Sequence, residues 1–315
     1  MHFTSDIYWR SISVIPMDTE LARTFLAVVA AGSFVEASER LHVTQSTVSA
    51  RIQRLEEQLG AALFLRNKAG TTLTPAGRQF QRHATLLTRT AEQARQEIGS
   101  VRGFRATLSV GARIALWEGD LRSRWLPGMT RLTPDVAIRA QVFGFDEELM
   151  EALIDGRIDI GIMYNPQSRP GLTVEPLFEE RLVMVSSRSP PPAEPGPDYV
   201  YVDWGPEFLT HHGLAFPGFT GAGICTNVGW LGLEHILTSG GSGYFPLRLV
   251  QGHEATGKLH RVMSAPEFRL PVYLVHPGRT DSSALVLALD SLRQALGRRG
   301  AADGTRILAG SGPQE

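Results

Sequence analysis

Between residues 45 and 98 the apolar positions fall into two rhythms. Val48, Ile52, Leu55 and Leu59 recur at steps of four, three and four, which lays one apolar stripe along a helix. Phe80, Ala84, Leu87, Ala91, Ala94 and Ile98 follow steps of 4, 3, 4, 3 and 4, with polar residues nearly everywhere else. A stripe that narrow, sustained from Pro75 to about Gly103, predicts a long helix that pairs with a second copy of itself. The plainer reading is an amphipathic helix lying on its own domain. Ahead of the first stripe, Ser33 with Glu36 three residues on reads as a capping box. The helix it opens ends near Leu41, because His42-Val43 breaks the pattern, and Thr44 is a good N-cap for the next helix. Behind that stripe, Leu63-Phe64-Leu65-Arg66 and Thr71-Thr72-Leu73-Thr74 are strand-like runs around Asn67-Lys68-Ala69-Gly70, the composition of a hairpin turn.

Past residue 105 the pattern becomes strand-helix alternation. Residues 107–110, 137–143 and 159–164 read as strands, and 117–132 and 147–153 as the helices between them. That order predicts right-handed crossovers and a mainly parallel sheet. Residues 180–186 begin another β-rich run, followed by a Pro-rich loop over 190–197. Residues 199–203, a helix near 231–237 and residues 244–250 make a second lobe, and 269–276 with a helix over 284–297 return to the first. The chain thus crosses between lobes near 178–182 and 263–269. Lobe 1 spans about 105–180 and 266–300, lobe 2 about 181–265. Residues 301–315, rich in Gly and small or polar types, read as a disordered tail, and residues 1–16 as an N-terminal extension.

The face opposite the first stripe carries candidate chemistry. At 100° per residue it presents Ser46, Ala50, Gln53 and Arg54, with Gln45, Thr47 and Ser49 at its N-terminal edges. Small and amide side chains at a helix start, followed by arginine, suit a helix entering the DNA major groove. The spacing is that of a helix-turn-helix; an amphipathic helical hairpin in some other bundle is the competing reading. Arg66 and Lys68, near the tip of the following hairpin, make it a wing able to touch phosphate.

These residues resemble the LysR-type transcriptional regulators. The resemblance is carried by Phe25-Leu26-Ala27-Val28, Gly32-Ser33-Phe34, Ala37, Leu41, Thr44-Gln45-Ser46, Val48-Ser49, Ile52, Leu55-Glu56, Leu59-Gly60, Leu63-Phe64, Arg66 and Leu73-Thr74-Pro75-Ala76-Gly77. It is specific over this stretch and weaker out to about residue 300. It implies an α/β protein overall: an all-α winged helix-turn-helix DNA-binding domain (17–75), a long linker and dimerisation helix (76–104), and a two-lobed, periplasmic-binding-protein-like α/β effector domain (105–300). It also implies double-stranded DNA as partner, with Thr44 among the contacts, and a homodimer or homotetramer. Met17-Asp18-Thr19-Glu20 resembles the family's usual start.

Two α/β lobes with two crossings describe a solute-binding cleft at the carboxyl ends of the strands. Residues 111–116 follow the first strand and open a helix whose amides favour an anion, and Arg113 lies among them. By resemblance, the strand ends supply Ala112, Arg113, Ile114, Phe143, Phe145, Tyr164, Trp204 and Tyr244 as cleft candidates. Many relatives carry Ser or Thr at the first strand end, where this chain has Gly111-Ala112-Arg113. The expected effector is a small carboxylate with an apolar body. Each aromatic has a plainer reading as core filler, and Arg113 as a surface ion pair.

Charge sharpens the division of labour. Formal net charge is −1, yet residues 1–105 carry 13 Lys+Arg against 9 Asp+Glu, and the remainder 18 against 23. One cysteine, Cys225, excludes an intramolecular disulfide framework and is expected to be a buried inert thiol. No run of about 18 apolar residues argues for a membrane span, and Asp6 and Arg10 interrupt any secretory signal. A cytoplasmic protein is expected. The glycines of Gly221-Ala222-Gly223 lack the third of a dinucleotide fingerprint, no Walker A or G-x-S-x-G motif occurs, and the histidines lack metal-ligand spacing. No catalytic site, metal or cofactor is expected. The alternative to a regulator is a cytosolic small-molecule-binding protein with a vestigial DNA-binding domain.

Overall fold

The computed structural model describes residues 18–67, 70–98, 103–278 and 282–302. The N-terminal extension, Lys68 and the tail beyond residue 302 lie outside the described residues. The chain forms two compact units, Met1–Glu92 and Gln93–Glu315.

In the first unit, α1 (Thr19–Ala31), α2 (Phe34–Arg40) and α3 (Gln45–Leu59) precede a two-stranded hairpin, β1 (Phe64–Asn67) with β2 (Gly70–Leu73), and then α4 (Pro75–Ile98). The caps lie where the sequence placed them. Ser33 Oγ accepts the Glu36 amide at 3.1 Å and Thr44 Oγ1 the Thr47 amide at 3.2 Å. His42 turns the chain between α2 and α3 with φ 52°, in the left-handed region that histidine tolerates better than branched residues. Val48, Ile52 and Leu55 are fully buried, and Leu59 half-buried. Phe25 centres the core, 5.1 Å from the Phe64 ring and 5.0 Å from that of Phe80. The hairpin is fixed to the start of α4 by Thr74, whose Oγ1 donates to the Ala62 carbonyl and accepts the Gly77 amide. Gly77 passes so close to the Leu63 carbonyl that a Cβ would lie 2.2 Å from the oxygen.

The second unit is built on one nine-stranded sheet. Its strands are β3 (Ala106–Arg113), β4 (Val136–Phe143), β5 (Ile160–Met163), β6 (Leu172–Ser186), β7 (Tyr199–Val202), β8 (Ile224–Thr226), β9 (Ser242–Pro246), β10 (His260–Arg261) and β11 (Phe268–Pro277). The order is β4-β3-β5-β11-β6-β9-β7-β8, with β10 also on β6. The sheet is mixed rather than mainly parallel. β3, β4 and β5 are parallel in lobe 1, and β7, β8 and β9 in lobe 2, but β6 and β11 run antiparallel to each other and to their neighbours. β6 is the bridge: Leu182 is paired both with Phe268 of β11 and with Pro246 of β9. One long strand, β6, and its partner β11 thus run beside strands of both lobes.

Helices cover the sheet: α7 (Asp146–Ile154), α8 (Pro206–Ala215), α9 (Gly229–Ser239), α10 (Leu247–Ala255) and α11 (Ser283–Ala302). Gly161 on β5 lets α7 approach, since a Cβ there would stand 2.5 Å from Leu149 and 2.7 Å from Leu153. Four expectations are corrected. The helix read over 117–132 is broken into α5 (Ile114–Leu116), a π-helical segment Trp117–Trp125 and α6 (Leu126–Leu132). The break is at Glu118-Gly119, where Gly119 takes φ 86°. Residues 244–250 are the end of a strand and the start of α10, because Pro246 closes β9. α11 runs to Ala302, past the expected start of the tail. Cys225 is exposed, because β8 is a three-residue strand at the end of the sheet.

Candidate DNA interface and effector cleft

The outer face of α3 is open along its length. Thr44, Gln45, Ser46, Ala50, Gln53 and Arg54 are exposed and Ser49 is half-buried. Two arginines on this helix have opposite fates. Arg51 turns back onto α1, where it pairs with Glu20 and reaches Thr24 Oγ1 at 3.5 Å. Arg54 stays outside. Gln53 Nε2 donates to Glu57 Oε1 at 3.0 Å, one turn on, which steadies its amide along the helix. Thr44 Oγ1 lies 2.8 Å from both Ser46 Oγ and Thr47 Oγ1, so the cap organises the first turn of this open face. Arg66 lies on β1, paired with Thr71 of β2; its side chain and Lys68 lie outside the described residues.

The heptad stripe of α4 divides. Phe80 and Ala84 are already buried within one chain, Phe80 edge-on against Phe25. They are core residues here, because the first turns of α4 pack with the DNA-binding unit, and Glu92 still meets Arg23 at 3.2 Å. Leu87 and Ala91 are half-buried, Ala94 is exposed, and the Ile98 side chain lies outside the described residues. Leu86, outside the predicted seam, is 62% exposed.

The effector cleft is not lined as the strand ends suggest. Ala112 and Phe143 are buried, and Phe143 sits where a Cβ on Gly111 would come within 2.7 Å of its ring. That contact explains glycine at the first strand end in place of a hydroxyl residue. Arg113 is 7% exposed and lies 3.5 Å from Asp146 Oδ1 at the start of α7, so its charge is matched inside lobe 1. Burial raises the Asp146 carboxyl despite that arginine. Phe145 is half exposed beside it. Trp204 is core, donating to the Tyr244 carbonyl at 3.0 Å. Tyr244 is fully buried among Phe208, Phe216 and Phe268, its hydroxyl on the Pro266 carbonyl. Tyr164 is buried with its hydroxyl donating to Glu180 at 3.3 Å, and burial with the Glu180 charge pushes that phenol well above its ordinary range.

An open groove of about 610 Å³ lies between the lobes. Lobe 1 contributes Ile114, Trp117, Glu118, Gly119 and Arg122, and lobe 2 contributes Trp230 and Leu249. Of the strand-end candidates only Ile114 lines it. Beneath it, Arg248 at the start of α10 fastens the lobes together. Its guanidinium is bidentate on Glu180 of β6, at 2.9 and 2.8 Å, and also donates to the Glu118 carbonyl at 2.5 Å and the Ala115 carbonyl at 2.8 Å. Sequence reasoning missed Glu118, Trp117, Arg122, Trp230, Arg248 and Glu180. The usable signal was Glu118-Gly119 inside a helical pattern, since glycine there marks a break rather than a turn of helix.

A helix-turn-helix unit joined to a two-lobed, cleft-bearing unit defines a ligand-responsive DNA-binding protein. The family pattern described as "Bacterial regulatory helix-turn-helix protein, lysR family" matches residues 19–78, and "LysR substrate binding domain" matches residues 102–199. The chain belongs to the LysR family of transcriptional regulators. It is 30% identical over 277 residues to the HTH-type transcriptional regulator HdfR of Escherichia coli O17:K52:H18 (strain UMN026 / ExPEC), covering 86% of this chain and 95% of that protein. HdfR of Yersinia pestis (strain Pestoides F) is 29% identical over 285 residues, covering 87% and 95%. In fold the chain is similar to ArgP from Mycobacterium tuberculosis, with TM-score 0.52 and 24% identity over 89% of this chain and 97% of that one. It is similar also to full-length LysG from Corynebacterium glutamicum, solved with bound effector Arg, with TM-score 0.53 and 19% identity over 90% and 99%. Among the described residues no single helix is long and apolar enough to cross a membrane, and no group of three or more His, Cys, Asp or Glu is placed to hold a metal.

Proposed function

We propose that this LysR-type regulator acts in the cytoplasm as a non-enzymatic switch. In this reading two or four copies hold DNA through α3 and the hairpin, and a small molecule in the inter-lobe groove alters that grip. The observation that carries the DNA half is the split of α3 into a stripe buried at Val48, Ile52 and Leu55 and an open small, amide and arginine face. Ser46, Ser49, Gln53 and Arg54 read base edges or adjacent phosphates, with Thr44, Gln45 and Ala50 setting their approach, and Arg66 and Lys68 hold phosphate. Two such helices read two half-sites when α4 pairs through Leu87, Ala91, Ala94 and Ile98.

The Arg248 clasp supports the second half. Ligand in the groove must favour one lobe arrangement over another to change DNA binding, since equal affinity for both shifts nothing. Arg248 joins the lobe-2 helix to lobe-1 carbonyls and to the strand common to both lobes, so the groove and the bridge share one buried contact set. A carboxylate on Arg113, the expectation from sequence, would have to displace Asp146 and reach a guanidinium absent from the groove's lining. Sequencing of DNA recovered genome-wide with the protein, followed by titration onto the recovered sites, tests the reading. Uniform recovery with no enriched sites, and binding that ignores sequence, would rule it out.

A further inference from the structure

One side chain lining the groove carries a polar atom with nothing to hold. Glu118 Oε1 is buried and has no hydrogen-bond partner. Glu118 lines the groove beside Trp117 and faces Trp230 and Leu249 across it. The backbone puts it there: Glu118 has extended ψ 141° and Gly119 left-handed φ 86° inside an otherwise helical stretch. That φ favours glycine at 119, and a Cβ there would stand a tight 3.0 Å from Arg248 Nη1.

The two buried cations nearby are committed elsewhere. Arg113 is matched by Asp146, and Arg248 by both oxygens of Glu180 and by two carbonyls. Arg122 is exposed at the rim. An anion entering between the tryptophans would therefore meet a carboxylate before any unmatched interior cation. A donor carrying positive charge would satisfy Glu118 Oε1, and indole faces favour a cation beside them.

We propose that the groove's ligand is a small organic amine, its ammonium group on the Glu118 carboxylate and its apolar body between Trp117 and Trp230. The proposal rests on the groove being the effector site, and it replaces the carboxylate expected from sequence. Burial raises the Glu118 carboxyl, more than Arg248 and Arg122 lower it, so the acid is set apart from water and its nearby arginines do not fully compensate. An ammonium there also acts on the residue whose carbonyl Arg248 grips at 2.5 Å, which connects ligand to the clasp.

Full-length protein is titrated by calorimetry and tryptophan fluorescence with three probes sharing one ring: tryptamine, indole-3-propionate and 3-methylindole. Tryptamine is expected to bind tightest, and Glu118→Gln to weaken it about tenfold or more while leaving 3-methylindole unchanged. Trp230→Ala, at a half-exposed position, is expected to weaken all three. Tighter binding of indole-3-propionate than of tryptamine, or tryptamine binding unaffected by Glu118→Gln, overturns the amine while Trp230 dependence keeps the groove. Binding of every probe that ignores Trp230→Ala removes the groove and the proposal together. Absence of saturable tryptamine binding at low-millimolar concentration overturns the proposal as well. If Glu118→Gln loses its folded circular-dichroism signal, the wild-type ranking of tryptamine against indole-3-propionate decides alone.

Discussion

The outer face of α3 and the floor of the inter-lobe groove treat their charged side chains in opposite ways. On α3, Arg51 is drawn back to Glu20 and Arg54 is left outside. Around the groove, Arg113 and Arg248 are both buried and closed onto acids within the chain, and Glu118 in the lining keeps a carboxylate oxygen without a hydrogen-bond partner. A surface meant for a large partner keeps its polar groups in water until contact, where they cost little. A cleft meant for a small one must desolvate its groups in advance, and each must be satisfied by the fold or by the ligand. Mutation should therefore separate the two regions: binding without stability at α3, and stability together with response at the groove.

The largest effect belongs to assembly. Leu87→Asp puts a charge into the proposed α4 seam and should split the dimer, lowering affinity for a two-half-site DNA by at least about a thousandfold. Sedimentation showing a dimer at micromolar concentration would move the protomer contact elsewhere. Next is the clasp. Arg248→Ala leaves Glu180 buried and unpaired, and should destabilise the effector unit by about 3–5 kcal/mol in urea. Arg248→Met with Glu180→Leu should recover much of that stability without recovering any ligand response. A clasp that matters only for stability would show the response restored too.

At α3 the ranking inverts. Arg54→Ala should change unfolding free energy by no more than about 0.5 kcal/mol, yet cost about 1–3 kcal/mol of discrimination between operator and mismatched DNA. Arg66→Ala should weaken all sequences alike and flatten the salt dependence by about one unit. If the Arg54/Arg66 double mutant binds like wild type, the docking is wrong.

The smallest effect sharpens the groove side. Burial lifts the Glu118 carboxyl above its ordinary 4.5, against Arg248 and Arg122 and with help from Glu180. The folded state then keeps a proton that the unfolded chain has released. Stability contributed by that group is present at low pH and declines as pH rises from about 4.5 through the folded value. Glu118→Gln should flatten that segment of the stability-pH curve, read by urea midpoints at several pH values. A curve parallel to wild type would show that Glu118 titrates normally.

The same contrast explains what the sequence disclosed. The α3 stripe, the Ser33 and Thr44 caps and the α3 face depend on residues three or four apart, so periodicity found them. The two crossings near 178–182 and 263–269 were read from the order of strands and helices. The groove was not, because its contacts join residues 68 and 130 positions apart, Arg248 with Glu180 and Arg248 with Glu118. Strand-end reasoning chose Trp204 and Tyr244, but aromatic residues at strand ends close a core as readily as they line a cleft. Phe80 and Ala84 show the limit of a heptad: a stripe of apolar residues can begin against its own domain, so its spacing alone does not assign it to a partner.

The Leu63 carbonyl against Gly77 has a mechanical consequence. With no room for even a methyl group between them, the hairpin and the first turn of α4 cannot slide past each other. The 24-residue helix, about 36 Å long at 1.5 Å per residue, is then a lever with the wing clamped to its short end. A twist applied at the far end reaches the wing as rotation instead of being absorbed at a hinge. With the α4 pairing and hairpin-phosphate contact proposed above, small angular changes between protomers would be delivered to the DNA backbone as torque.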